Sequence, residues 1–310
     1  RAACVTGHGH VLRLMKRFDE AMSVLRQGKK RFPFDSAIVS EIAKVYSDQG
    51  RMAEALETYN TALADFPLDS YITNGRANLH KALRKYDEAL RIYDENTARF
   101  PYDVISWSGR ADLLKQLGQL GPALDAYDRI ISRWPTELGP KHSKAAVLVA
   151  LGHFDKADEL LPLGQPNTLD EWIAYHVRGM IFLRSGQIEE AVAHFSSGLQ
   201  RVPYLREKRY FERALAVAFL SKREFLSVPS LVLDSEEPVA NVLRLHAFAA
   251  MGERVHALNA MKIINANAYP NVISLSAEIA KRYGLSMEQP EHDENWIFQR
   301  EIEVVLLEAA

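Results

Sequence analysis

A small residue recurs along this chain at a constant interval of 34 positions. Alanine occupies six such positions in succession: Ala21, Ala55, Ala89, Ala123, Ala157 and Ala191. A second series, twelve residues earlier in each unit, holds only alanine or glycine: Gly9, Ala43, Ala77, Ala111, Ala145 and Gly179. If Ala or Gly occupied roughly one position in six, agreement at every place would have a chance probability on the order of one in a billion. The period therefore predicts tandem structural repeats.

The residues between these positions predict two helices per unit. Apolar residues recur at intervals of three and four within each half of a unit, which is one face of an α-helix. Glycines lie near the middle of four units, where a left-handed residue would end the first helix: Gly50, Gly118, Gly152 and Gly186. Prolines end most units and prevent the second helix from continuing: Pro33, Pro67, Pro101, Pro135 and Pro203. The pattern predicts an all-α fold of repeated helix–turn–helix units.

With small, bulky and proline residues placed in this way, the chain resembles the tetratricopeptide repeat family. The resemblance extends over residues 2–205, and the segments 36–67 and 172–203 fit the family pattern closely. It implies a right-handed superhelical α-solenoid. It also implies a non-enzymatic protein that binds a protein or peptide.

We predict five repeats over 2–161, a sixth over 172–205, a degenerate seventh over 206–238, a modified eighth over 239–270, and capping helices over 271–310. The period fails after Pro203, because Phe225 stands where alanine is expected and Pro229 interrupts the next helix. Pro162 and Pro166 should shorten the second helix of the fifth unit. A terminal helix over 293–308 should cap the exposed end of the stack.

Composition favours a soluble protein without a strong preference for nucleic acid. The net charge of −2 excludes a strongly basic chain, although residues 1–33 carry eight Lys and Arg against two acids. Residues 286–310 carry seven acids against one Arg, and we interpret both ends as solvated charged faces; the alternative is electrostatic steering or end-to-end association.

The single cysteine, Cys4, excludes an intramolecular disulfide and favours a reducing, cytoplasmic location. No apolar run approaches the roughly 20 residues that span a bilayer, so we expect no membrane association. The chain begins with Arg1 rather than Met, as in a piece of a longer polypeptide with further attached domains.

The sequence contains no nucleotide-binding motif, and we predict no catalytic residue, no cofactor and no metal site. Cys4 lies near His8 and His10 but lacks the paired spacing typical of a zinc site. Acid pairs such as Glu189 and Glu190 begin second helices, where carboxylates favour the positive end of the helix dipole.

The resemblance implies that the first helices of the units line a concave groove. Mapping the family's groove positions onto this chain gives eleven candidate partner-binding residues: Ser40, Lys44, Asn74, Asn78, Lys81, Ser108, Asp112, Lys115, His142, His176 and Met180. Asn74 and Asn78 lie one helical turn apart and could together bind a peptide amide. Gly7, Gly75 and Gly109 fall on the same wall and would leave room for a partner. For each position the alternative is a solvated helix face without a ligand.

Some family members hold a partner's C-terminal carboxylate with Lys and Asn at fixed groove positions. Only Asn78 matches that set here, which disfavours recognition of a chaperone tail. The leading hypothesis is therefore a general protein-binding scaffold. The alternative is a ligand-sensing or autoinhibitory arm of a larger signalling protein, such as a bacterial STAND-type NTPase.

Overall fold

The computed structural model describes residues 1–232, 237–286 and 294–309, and these contain eighteen α-helices, one short 3-10 helix and no strand. The α-helices in chain order are α1 (Ala2–Leu14), α2 (Phe18–Arg31), α3 (Ser36–Asp48), α4 (Met52–Asp65), α5 (Ser70–Ala82), α6 (Tyr86–Arg99), α7 (Val104–Gln116), α8 (Leu120–Arg133), α9 (Leu138–Ala150), α10 (Phe154–Asp158), α11 (Leu169–Arg184), α12 (Ile188–Arg201), α13 (Leu205–Ser221), α14 (Val228–Leu231), α15 (Pro238–Ala250), α16 (Arg254–Asn267), α17 (Pro270–Arg282) and α18 (Glu294–Ala309). The 3-10 helix is Phe225–Ser227. The predicted all-α fold is confirmed.

The chain divides into two compact units, unit 1 (Arg1–Leu113) and unit 2 (Leu114–Ala310). The division falls within α7 and not at the proline-containing segment 159–168. That segment does limit α10 to five residues, as Pro162 and Pro166 predict. It does not separate the chain into units, because α9 and α11 contact each other across it.

A left-handed residue reverses the chain between the two helices of a hairpin. Gly50 has φ of 75°, and the N–H of the next residue, Arg51, donates to the carbonyl oxygen of Tyr46 over 2.9 Å. Lys16 and Arg84 adopt the same conformation at the equivalent positions, with φ of 58° and 60°. The turn therefore forms even where glycine is absent, although a side chain there is strained.

The turn between consecutive hairpins uses a proline and an aspartate. Pro33 follows the last residue of α2 by two positions, and Asp35 caps α3 by accepting from the Ile38 N–H over 3.1 Å. Asp69 caps α5 in the same way, accepting from the Tyr71 N–H over 2.8 Å. The repeated Pro-x-Asp sequence thus ends one hairpin and begins the next.

The 34-residue alanine series forms the contacts between paired helices. Its six members, Ala21 to Ala191, are all completely buried. Small side chains allow two helices to approach closely, and the bulky residues around them fill the remaining space.

Two aromatic rings occupy the space left by glycines on the following repeat. A Cβ atom on Gly75 would lie 2.6 Å from Cε1 of Tyr59, and one on Gly109 would lie 2.6 Å from Cε1 of Tyr93. The interpretation that Gly75 and Gly109 leave room for a partner is therefore wrong, because the rings already fill that room. Gly7 alone of the three faces open space.

The first helices of the hairpins pack against one another and form a wall in each unit. We call α1, α3, α5 and the part of α7 up to Leu113 the unit 1 wall. We call α9, α11, α13, α15 and α17 the unit 2 wall.

The last helix lies on the unit 2 wall. The sequence predicted that this segment caps the end of the stack, but α18 contacts all five helices of the unit 2 wall. Its aliphatic residues from Val304 to Leu306 are consecutive and all buried, so the helix is enclosed on more than one side. Glu301 and Glu303 are also buried, and the interpretation of these acids as a solvated face is wrong.

Ala89 tests the packing of paired helices. The Ala89→Arg variant should lower the free energy of unfolding by more than the roughly 1–3 kcal/mol that overpacking alone costs, because a charge is buried as well. Urea denaturation measures the change. Ala98→Arg, at an exposed position of the same helix, is the control and should be nearly neutral. An unchanged unfolding curve for Ala89→Arg would contradict the packing.

Gly75 tests the contact with Tyr59. The Gly75→Ala variant should lower the free energy of unfolding by about 1–3 kcal/mol, because the buried ring has to move. Gly7→Ala is the matched control and should raise it by about 0.5–1 kcal/mol, since alanine is the better helix former and meets no neighbour. Changes of the same sign in both variants would argue against the aromatic–glycine contact.

Candidate functional site

The eleven predicted groove residues divide between the two units. Seven lie in unit 1: Ser40, Lys44, Asn74, Asn78, Lys81, Ser108 and Asp112. The other four lie in unit 2: Lys115, His142, His176 and Met180. The side chains that remain at least partly exposed are all in unit 1: Lys44, Asn78, Lys81, Ser108 and Asp112. The other six are buried, so they offer a partner little surface.

A buried carboxylate organises the first part of the unit 1 wall. Glu41 is 3% exposed and accepts from the Lys44 Nζ over 2.8 Å and from the Arg13 Nε over 3.2 Å. Burial opposes its ionisation, but the hydrogen bonds and charges of Lys44 and Arg13 outweigh burial, and the pKa of Glu41 lies below its ordinary value. His10 Nδ1 lies 3.5 Å from the same carboxylate. Sequence reasoning missed Glu41, although its spacing of three residues from Lys44 is typical of a helical ion pair.

Lys44 reaches across to the next repeat. Its Nζ donates to the Tyr71 hydroxyl over 3.0 Å and lies 5.1 Å from the centre of that ring. The charge of Glu41 and these hydrogen bonds raise the pKa of Lys44 against the opposing effect of burial. The ammonium group is therefore charged, partly exposed and held in place on the wall.

Asn74 belongs to an internal network. Its Nδ2 donates to the Asp103 carboxylate over 2.8 Å. Its Oδ1 accepts from Asn96 Nδ2 over 2.8 Å and from Ser106 Oγ over 2.9 Å. These bonds join α5, α6 and the start of α7, so the Asn74 amide is used within the protein. Asn96 and Ser106 lie 22 and 32 residues after Asn74. Neither spacing is the 34-residue period, so the sequence pattern did not indicate these contacts.

Asn78 is exposed, and its described hydrogen bond uses only the carbonyl oxygen, which accepts from the Tyr93 hydroxyl over 2.8 Å. A cavity of about 110 Å³ opens beside it. The residues that line this cavity are Ala43, Lys44, Ser47, Tyr59, Gly75, Asn78 and Leu79. The Tyr59 hydroxyl lies 3.2 Å from Ser40 Oγ, and burial raises the pKa of Tyr59, so the phenol stays neutral.

Lys81 and Asp112 provide a second charged position on the unit 1 wall. Burial lowers the pKa of Lys81, and the charge of Asp112 partly opposes this effect. Ser108, one helical turn before Asp112, is half-buried.

On the unit 2 wall, the predicted histidines are core residues. His176 Nε2 donates to the Tyr210 carbonyl oxygen over 3.2 Å, and burial lowers the pKa of His176 to about 3. Burial also lowers the pKa of His142. Both rings are therefore neutral at pH 7.

The contact between α18 and this wall is partly polar. Glu301 Oε1 accepts from His246 Nδ1 over 2.6 Å, and His246 Nε2 is 2.9 Å from the Tyr283 hydroxyl. Arg184 Nη1 donates to the backbone carbonyl of Gln299 over 3.3 Å. Sequence reasoning missed this site, because α18 lies outside the 34-residue period.

A larger cleft of about 340 Å³ lies between the second helices α2 and α4, with α3 beneath it. Arg26 and Lys29 line one side, and Glu54, Glu57 and Asp65 line the other. The α2 side of the cleft is thus positively charged and the α4 side is negatively charged.

Residues 1–232, 237–286 and 294–309 contain no group of three or more His, Cys, Asp or Glu side chains that could hold a metal ion. Among the helices of these same segments, none combines the length and the apolar character needed to cross a bilayer.

Two tetratricopeptide repeat models match the chain, one over residues 12–79 and the other over residues 74–137. No curated protein matches it. A tetratricopeptide repeat protein from Parabacteroides merdae is 16% identical, with a TM-score of 0.51 over 89% of this chain and 98% of its own.

Two other solved structures show the same fold at low identity. The human IFIT1 dimer with m7Gppp-AAAA is 13% identical, with a TM-score of 0.58 over 92% of this chain and 72% of its own. The APC/C hetero-tetramer Cut9–Hcn1 is also 13% identical, with a TM-score of 0.55 over 86% of this chain and 52% of the other. Taken with the alanine-packed helical hairpins, the matches show that residues 12–137 are tetratricopeptide repeats and that the chain has the α-solenoid fold of this family.

Proposed function

We propose that the protein is a non-enzymatic scaffold that binds a peptide segment of a partner protein along the unit 1 wall. The observation that supports this choice is the difference between the two walls. The unit 1 wall presents Lys44, Asn78 and a small cavity, whereas α18 covers the unit 2 wall. A row of helical hairpins offers an extended surface, which suits a peptide.

The dimensions of the unit 1 cavity favour a peptide side chain as its occupant. Its volume of about 110 Å³ is well below the roughly 300–1,000 Å³ of a typical small-molecule site. Asn78 can hydrogen-bond a peptide group beside the cavity, and the charged Lys44 can bind a carbonyl or carboxylate oxygen. Lys81, Ser108 and Asp112 extend the polar surface along the wall.

The charge balance of the unit 1 wall favours a peptide over a nucleic acid. IFIT1 was solved with a capped oligonucleotide, but that ligand belongs to IFIT1. Here the cations Arg13 and Lys44 are paired with the acids Glu41 and Asp48. Because these two cations are already neutralised, they offer little excess positive charge to phosphate groups.

The proposal is tested with the double variant Lys44→Gln, Asn78→Ala. Partners are first captured with the intact chain and identified, and the bound region is reduced to a synthetic peptide. The variant should keep its helical content and bind that peptide at least about tenfold more weakly by calorimetry, a loss of about 1.4 kcal/mol.

A matched control makes the same chemical changes on second helices. Lys30→Gln, Asn60→Ala alters two exposed residues outside the unit 1 wall and should bind the peptide like the wild type. Equal affinity in both double variants would show that the peptide binds elsewhere.

His176 provides a test through pH. Its pKa is about 3 in the folded chain and about 6.5 when unfolded, so the unfolded state binds more protons between these values. Stability should therefore fall as the pH drops through this window. The His176→Gln variant keeps a donor for the Tyr210 carbonyl. Its loss of unfolding free energy from pH 7 to pH 5 should be smaller than that of the wild type by about 2 kcal/mol.

Urea denaturation at the two pH values measures this difference. Peptide affinity at pH 7 should be the same for His176→Gln and the wild type, because the ring is buried and is not a ligand contact. An identical loss of stability in both proteins would mean that His176 can be protonated in the folded state.

A further inference from the structure

We propose that the unit 2 wall is a second recognition site, specific for an apolar helix with a buried acid at its centre, and that α18 is its resident occupant. This site is independent of the peptide site proposed for unit 1.

The contacts of α18 resemble those of a bound ligand more than those of another hairpin helix. A repeat helix packs on its neighbours in sequence. In contrast, α18 reaches back as far as α9 and contacts every first helix between them. No second helix in the described residues of unit 2 contacts it to a comparable extent. It therefore lies along the surface that helical-repeat proteins use for binding.

Aliphatic side chains supply much of the contact. Ile297, Ile302, Val305 and Leu306 are almost completely buried. Relative to Glu301, they lie four residues before and one, four and five residues after. This spacing surrounds one acid with aliphatic groups on a helix, and we take it as the pattern that the wall recognises.

The acid makes the site selective. Glu301 is 0% exposed and His246 is 4% exposed, with their atoms 2.6 Å apart. Removing one partner of a buried hydrogen bond costs stability, because the polar group that remains loses that bond without gaining water in its place. A helix without an acid at this place would therefore bind poorly.

The resident helix does not satisfy the site completely. Glu301 Oε2 is buried and has no hydrogen-bond partner among the described residues. An unsatisfied buried oxygen weakens binding. A helix whose acid had both oxygens hydrogen-bonded would therefore bind this wall more tightly than α18 does.

The experiment uses the full chain and a fluorescent peptide of residues 294–309. Because α18 is part of the same chain, its effective concentration at the unit 2 wall is high and it competes with the free peptide. The peptide should therefore bind the wild type weakly. The variant Ile302→Asp, Leu306→Asp weakens the resident helix and should bind the peptide at least tenfold more tightly than the wild type does. A scrambled peptide should bind neither protein.

Two further changes test the acid. The peptide carrying Glu301→Ala should bind the double variant at least tenfold more weakly than the native peptide. Adding His246→Ala to the protein should make the two peptides bind equally. The unit 1 variant Lys44→Gln, Asn78→Ala should leave all these affinities unchanged, which separates this site from the one in unit 1.

If the double variant loses helical structure, circular dichroism measures whether the peptide restores it. Recovery of helical content on adding the peptide would support the proposal, since the peptide then rebinds. Loss without recovery, binding that ignores Glu301, or equal binding to the wild type would overturn it.

Discussion

The close approach of paired helices at alanine is the contact on which the rest of the structure depends. Each alanine of the 34-residue series is completely buried, so a larger side chain there would force two helices apart. Because successive hairpins repeat this contact, the first helices within each unit form a wall. The same approach brings Tyr59 and Tyr93 against Gly75 and Gly109, and the tyrosine hydroxyls reach wall residues such as Ser40 and Asn78.

The period predicted this architecture because packing between repeats is local and recurs. It predicted the alanine contacts and the hairpin turns at Gly50 and Gly118, whereas Pro162 and Pro166 predicted the short α10. It could not distinguish a residue that faces a groove from one that is buried by a neighbour. Asn74 has the spacing of a groove residue, but its amide bonds to Asn96, Asp103 and Ser106.

The placement of α18 was beyond sequence reasoning for a different physical reason. Its apolar pattern shows that other parts of the protein must cover it. Because the segment lies outside the repeat, the 34-residue period cannot identify the helices that do so. Its contact with Arg184 joins residues 115 positions apart. Only the assembled unit 2 wall, with His246 facing Glu301, determines where the helix lies.

Two buried glutamates show how the two walls differ. Glu41 receives hydrogen bonds from Arg13 and Lys44, which stabilise its charge without any ligand. Glu301 has one bond from His246, and its second oxygen is unsatisfied. Residues of the unit 1 wall stabilise the ionised Glu41 carboxylate and lower its pKa. The unit 1 wall therefore needs no additional helix to balance this charge. The His246 ring on the unit 2 wall bonds to the Glu301 carboxylate of α18, so the helix that covers this wall contributes an acid to it. The same hairpin packing therefore yields one wall whose polar groups remain partly exposed and another that an additional helix covers.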